Sequence, residues 1–281
     1  MGKSHDIVLA VDLGGTNIRA GLVEKGVVVN QQKIALQGKD VLQKTLDQLI
    51  ALIESVMDKR TCGIGIGVPS VVDVKTGTVF NVTNIPSWKR VELKSILEAK
   101  FQLPVRVNND VNCFILGEHR FGVAKGFNSV VGLTLGTGLG GGIIINNELY
   151  HGTNCGAGEF GLVPYLDKNI EAYCSGGFFE KKYQTTALEA YQKALAGDRP
   201  SLNSWEEFGS HMGNAIKTVA YTYDPEAIVL GGSLVQAFNF FSESMTRSMT
   251  DFEFPESIKK LKILISQNAN ISLLGAASLI L

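Results

Sequence analysis

The chain has 281 residues, 45% of them hydrophobic, with 26 Lys and Arg against 27 Asp and Glu for a formal net charge of −1. That length supports a large core, more naturally in two domains than in one, and the balanced charge removes the electrostatic case for a nucleic-acid or membrane partner. No apolar run approaches the roughly 20 residues that span a bilayer. Nothing has the form of a secretory leader. The cysteines Cys62, Cys113, Cys155 and Cys174 are too scattered for a zinc or dithiol motif, which points to free thiols in a reducing cytoplasm.

In chain order, strands are predicted over 7–13, 16–23 and 26–33, joined by turns at Gly14-Gly15 and Lys25-Gly26 too short for anything but antiparallel neighbours. Apolar residues then recur every three or four positions (Leu42, Leu46, Leu49, Ile53, Val56), an amphipathic helix over 40–59. A buried strand over 62–68 ends at Pro69, a small hairpin surrounds Lys75-Thr76-Gly77, and a loop covers 83–88. A helix over 91–101 and a strand over 104–108 lead through Asn109-Asp110 into a helix over 111–121. The pattern then repeats: strands over 129–135, 141–146 and 148–150, helices over 177–196 and 205–223, a strand over 227–230 running into Gly231-Gly232-Ser233, a strand over 260–265 and an apolar helix over 271–281. This reads as an internal duplication of topology, with two hinged halves and a cleft between them.

Two segments stand out, IVLAVDLGGTNIRAGLV and VVGLTLGTGLGGGIIIN. A glycine turn at a strand end lets a ligand approach the backbone closely, and its successive N–H groups form a nest for anions. Around the first turn Asp12 adds a carboxylate able to orient magnesium-bound water, Thr16 a hydroxyl and Asn17 an amide; Gly136, Thr137 and Gly138 offer a second nest. One Gly-Gly turn alone is ordinary hairpin chemistry, but two with Thr at matching positions read as phosphate-binding elements. Gly136, Gly138 and Gly141 satisfy a dinucleotide fingerprint in spacing, yet a strand follows where a helix is required. Gly2-Lys3-Ser4 resembles the end of a P-loop without the loop before it. The histidines His5, His119, His151 and His211 share no catalytic or ligating spacing and read as surface or satisfied side chains.

Asp110 stands where a strand meets a helix, the place where ligands gather in open α/β sheets. A carboxylate there suits a general base for phosphoryl transfer, favoured in its ionised form by the helix dipole. Local sequence alone reads equally as a helix cap.

AVDLGGTNIRAGLV, NNDVN, LTLGTGLGGG, GAGEFG and VLGGS, in this order, resemble the ROK family of bacterial sugar kinases and sugar-responsive repressors. The resemblance covers essentially the whole chain. It implies an actin-like (ribonuclease H-like) duplicated two-domain α/β fold with a central cleft. A small domain over 1–112, with helix 271–281 packed back on it, would precede a larger one over 113–270. It further implies a cytoplasmic, commonly dimeric ATP- and Mg2+-dependent hexose kinase of glucokinase type, with Asp110 as base. Asn84, Asn109, Asp110, Glu159 and Glu180 would hold the sugar, and Gly231, Gly232 and Ser233 would lie against adenosine. On residues alone, Glu159 reads equally as a solvated loop acid, Glu180 as an exposed charge, and Gly231 to Ser233 as a tight turn.

The chain departs from the family pattern in three places. Many relatives carry histidine after E-x-G and then a cysteine cluster for structural zinc; here Leu162 follows Gly161, and the stretch from Tyr173 to Glu180 holds one cysteine. No zinc is expected, and Phe178 and Phe179 suggest apolar packing in its place. Without that histidine, N-acetylmannosamine stands beside glucose as a substrate. Ser70 replaces the glycine common after Pro69. The repressor branch carries a helix-turn-helix domain ahead of the first turn, where only six residues precede Ile7 here; with the neutral charge this weighs against a regulator. A sugar-binding protein without catalysis stays open as another class.

Overall fold

The computed structural model describes residues 7–82 and 84–281. Gly2-Lys3-Ser4, His5 and the Thr83 position of the predicted 83–88 loop lie outside the described residues. By compactness the chain divides into two units, the first running to Lys125 and adding Leu149–Ala157 and Asn268–Leu281, the second comprising Gly126–Glu148 and Gly158–Gln267.

The first unit contains β1 (Ile7–Leu13), β2 (Asn17–Glu24), β3 (Val27–Ala35), α1 (Leu42–Val56), β4 (Thr61–Val68), β5 (Val71–Asp73), β6 (Thr78–Phe80), β7 (Arg90–Val91), α2 (Leu93–Phe101), β8 (Val105–Asn109) and α3 (Asp110–Phe121). Its main sheet has the order β3-β2-β1-β4-β8. β1, β2 and β3 are antiparallel, whereas β4 and β8 continue parallel to β1. Ile7 to Val11 are fully buried, as expected for a central strand covered on both faces. α1 turns Leu46, Leu49, Leu52, Ile53 and Val56 into this core, the face its periodicity predicts. The buried Trp88 indole N–H donates to Thr45 Oγ1 at 2.7 Å, so the largest side chain of this core has its polar atom satisfied.

The second unit contains β9 (Val130–Leu135), β10 (Leu139–Ile145), a 3-10 turn (Phe160–Leu162), β12 (Pro164–Tyr165), β13 (Lys168–Asn169), α4 (Glu171–Cys174), α5 (Gly176–Tyr183), α6 (Ala187–Leu195), α7 (Arg199–Tyr223), β14 (Ala227–Gly231), α8 (Phe238–Arg247), α9 (Pro255–Lys260) and β15 (Lys262–Ile265). The short β11 (Glu148–Leu149) falls at the boundary, and the sheet order is β11-β10-β9-β14-β15. Again an antiparallel hairpin (β9, β10) is followed outward by parallel strands (β14, β15). The two main sheets therefore share one strand plan, which is the duplication predicted from the glycine turns.

The final helix, α10 (Ile271–Ala277), packs on β1 and α3 of the first unit. The approach is close enough to require glycine: a Cβ on Gly275 would lie 1.6 Å from the Cys113 carbonyl oxygen, and one on Gly117 2.2 Å from that of Ile271.

Two predicted helices need correction. The one expected over 177–196 is broken between α5 and α6, because Gln184 adopts the left-handed conformation (φ 53°) and Thr186 opens α6 with a capping box to Glu189. The one expected from 205 begins at Arg199, where Asp198 accepts from Ser201 N and Pro200 occupies the first turn. Phe178 and Phe179 are buried and pack with Trp205, Phe208 and His211. No helix among the described residues is long and apolar enough to cross a membrane, and Cys113 and Cys174 are buried free thiols.

Candidate active site

Asp12 is the penultimate residue of β1, at the edge where the parallel strands β1, β4 and β8 end. The turn after it is held by Gly14 N donating to Asn17 O (2.9 Å) and Leu36 N donating to Thr16 O (2.9 Å). A Cβ on Gly15 would lie 2.4 Å from Asn84 Cβ, so the structure brings Asn84 directly against this turn. A cavity of about 330 Å³ opens here, lined by Asp12, residues 14–17, Arg19 and Lys33.

The antiparallel register pairs Asp12 with Arg19 across the hairpin, and Arg19 in turn with Lys33. Arg19 donates to Asp12 Oδ2 from Nη2 (2.6 Å) and Nε (3.1 Å), and from Nη1 to Ala269 O (2.8 Å). Asp12 Oδ1 accepts no hydrogen bond from any described residue. Magnesium is bound through one or two carboxylates together with water and substrate phosphates. An open carboxylate oxygen in a cavity that Thr16 also lines suits that chemistry. Sequence reasoning passed over Arg19; counting residues outward from the Gly14-Gly15 turn would have placed it opposite Asp12.

Asp110 is the first residue of α3, but the cap is Asn109, whose Oδ1 accepts from Val111 N (2.8 Å) and Asn112 N (3.2 Å). The capping reading of Asp110 is thereby replaced, although its Oδ1 accepts from Val111 N at 2.9 Å. Asn109 Nδ2 donates to Ser70 O (3.3 Å), and the Ser70 hydroxyl donates to Phe80 O, which ties the post-Pro69 loop to the same site. Behind it, buried Asn112 donates to Asn108 Oδ1 (2.9 Å), which also accepts from Asn109 N (2.8 Å) and the Cys155 thiol (3.4 Å). Burial pushes the Cys113 thiol well up, and the charges of Asp110 and then Asp12 add to the shift.

In the second unit the turn Gly136-Thr137-Gly138 is closed by Gly136 N to Gly138 O (3.0 Å), while Gly176 N donates to Gly136 O (2.8 Å). Leu139 N donates to Glu171 Oε2 (2.9 Å), so a carboxylate braces the strand leaving the turn. Gly231 pairs with Thr134, and a Cβ on Gly232 (φ 88°) would lie 2.3 Å from Leu135 O, placing Gly231, Gly232 and Ser233 beside the same turn. Glu159 is exposed as a residue, yet partial desolvation of its carboxyl raises it above the usual value, with the Glu171 charge adding. Glu180 lies exposed on α5. Leu162, at the end of the 3-10 turn after Glu159, is 61% exposed. Glu171 was passed over in the sequence because its helix has only four residues; Asn169, whose side chain accepts from Ala172 N, was the signal of a helix start. Among the described residues no group of three or more His, Cys, Asp or Glu side chains could hold a metal.

The sequence profile of the ROK family matches residues 8–281. The chain belongs to the ROK family. A ROK glucokinase from Streptomyces griseus, solved in complex with glucose and AMPPNP, superposes with a TM-score of 0.81 at 28% identity, covering 97% of this chain and 98% of that one. The actin-like α/β fold of ROK kinases is thus the fold of this chain. A glucokinase from Streptomyces coelicolor is 30% identical over 263 residues, 81% of this chain and 82% of its own. The xylose repressor of Bacillus spizizenii is 28% identical over 303 residues, 99% of this chain and 78% of its own. ROK relatives thus include both sugar kinases and repressors.

Proposed function

We propose that this ROK protein is an ATP-dependent hexose kinase of glucokinase type that phosphorylates a primary sugar hydroxyl, the 6-OH. The observation that carries the reading is the place of Asp110: it is the first residue of α3, directly after the Asn109 cap at the end of β8, so its carboxylate stands at a helix N-terminus, which favours the ionised form that a base needs. Asp110 then accepts the proton of the attacking hydroxyl as its oxygen bonds to the γ-phosphorus, the β–γ bridging bond breaks, and ADP leaves with the electron pair. The buried Asn108, Asn112 and Cys155 network holds the backbone of Asn109, the residue before the base.

Asp12 and Thr16 would hold magnesium, which when bound neutralises phosphate charge. The turns Gly14 to Asn17 and Gly136 to Gly138 are the phosphate-binding elements of their respective units, with the Gly14 and Gly136 N–H groups holding the turns closed, and Gly231, Gly232 and Ser233 are the adenosine contacts. Asn84, Asn109, Asp110 and Glu159 are the sugar contacts, with Glu180 a further one. No zinc enters this reading. A cytoplasmic homodimer follows from the resemblance alone.

N-acetylmannosamine is the second substrate to test, on the observation that the exposed Leu162, with no hydrogen-bonding capacity, follows the Glu159 loop. ADP release with MgATP across glucose, fructose, mannose, N-acetylglucosamine and N-acetylmannosamine separates these readings. Preference for glucose supports glucokinase activity, and preference for N-acetylmannosamine keeps the chemistry with another sugar. Silence from folded, ATP-binding protein makes this a sugar-binding protein instead.

A further inference from the structure

Resting on the reading of the first glycine turn as a magnesium-nucleotide site, we propose that Arg19 is a positioning residue that makes nucleotide binding at this turn depend on magnesium. Asp12, Arg19 and Lys33 stand in one row across three strands, carboxylate, guanidinium and ammonium, all lining the same cavity. Two Arg19 nitrogens converge on a single Asp12 oxygen, and the third is anchored on the main chain at Ala269, immediately before α10.

A carboxylate turns broadly about its last torsion and would otherwise present either oxygen. The fork on Oδ2 removes that freedom and leaves Oδ1 as the oxygen without a donor among the described residues. Its orientation is therefore settled before any metal arrives, which lowers the ordering cost of binding. The Ala269 anchor extends the effect. It ties the guanidinium to the segment leading into α10, and α10 packs on the helix that begins at Asp110. Arg19 thus links the orientation of Asp12 to the backbone that carries the proposed base. Lys33 makes no ion pair with a described residue, so its charge remains available to an incoming polyanion.

A purely electrostatic view makes the opposite prediction. A cation 2.6 Å from the carboxylate repels a metal ion, so removing it should tighten magnesium-dependent binding. Orientation and charge thus differ in sign, and one experiment separates them. ADP binding is measured by calorimetry with magnesium chloride and again with EDTA, for the wild-type chain, Arg19→Met, Arg19→Gln and Arg19→Lys, with melting temperatures recorded alongside. Arg19→Met and Arg19→Gln should weaken binding in magnesium by roughly tenfold while leaving binding in EDTA within about twofold. Arg19→Lys keeps the charge but loses the fork, and should stay weakened. Combination of Arg19→Met with Asp12→Asn should weaken binding no further than Asp12→Asn alone, since both act through one carboxylate. Tighter or unchanged binding in Arg19→Met, or full recovery in Arg19→Lys, overturns the positioning role. Equal losses in magnesium and EDTA overturn it too, by showing a general structural defect. A wild-type chain that binds ADP identically with and without magnesium instead overturns the reading of the turn on which this inference rests.

Discussion

The hairpins β1-β2 and β9-β10 hold matching places in two sheets of the same strand order, yet they carry different chemistry. One pair inside the closing pair of the first stand Asp12 and Arg19; one pair inside that of the second stand Thr134 and Gly140. Backbone architecture is repeated, while the charge is confined to one copy. In the first unit the turn is crowded, with Asn84 pressed on Gly15; in the second, a Cβ on Gly136 would meet nothing within 4 Å. The cores diverge as well, an aliphatic one with a single satisfied indole against an aromatic cluster of Phe178, Phe179, Trp205, Phe208 and Phe241 whose Trp205 N–H has no hydrogen-bond partner among the described residues. Duplication thus preserved the frame that presents backbone N–H groups and left each copy to acquire its own side-chain chemistry.

Removing charge from the first hairpin should break this contrast most strongly. Asp12→Ala should lower magnesium-dependent ADP release by roughly a hundredfold or more, whereas Thr134→Ala at the matched position should stay within about threefold, both read in a coupled assay. Crowding comes next. Gly15→Ala forces a Cβ onto Asn84 and should cost about 1–3 kcal/mol in urea unfolding. Gly136→Ala has room and should change stability by less than about 0.5 kcal/mol.

The bracing carboxylate of the second hairpin is a smaller matter. Glu171→Ala leaves Leu139 N without its acceptor and should cost about 1–2 kcal/mol by the same measurement, with the loss confined to protection of β10 in hydrogen exchange. Smallest is the pH effect in the aromatic core. Burial lowers His211 below its ordinary value, only partly opposed by Glu207. The unfolded chain therefore takes up the proton first. Its contribution to stability is complete above about pH 6.5 and is lost as pH falls towards the lowered folded value. Chemical denaturation between pH 7 and pH 5 should show a shallower acid-side loss for His211→Gln than for wild type.

Much of the fold was legible because glycine turns and strand alternation are local signals. The strands that make up both five-stranded sheets, α1 and the strand-to-helix junction at Asp110 follow from them. The break at Gln184 was hidden because a left-handed helix end is usually announced by glycine, and here a glutamine takes it. Arg19 required a pairing register, which runs across strands rather than along the chain. Glu171 sits in a helix too short to show periodicity. Asp110 and Asn109 were both visible, but which of them caps the helix is decided by backbone geometry at the end of β8, where Asn109 is extended (φ −62°, ψ 146°).

The central claim is that Asp110 is the base of a hexose kinase. Its most direct test is ADP release with MgATP and the preferred sugar, wild type beside Asp110→Asn, with nucleotide and sugar binding measured on both proteins. Turnover should fall by roughly two orders of magnitude or more while both ligands still bind. Turnover near the wild-type rate in Asp110→Asn would contradict the assignment.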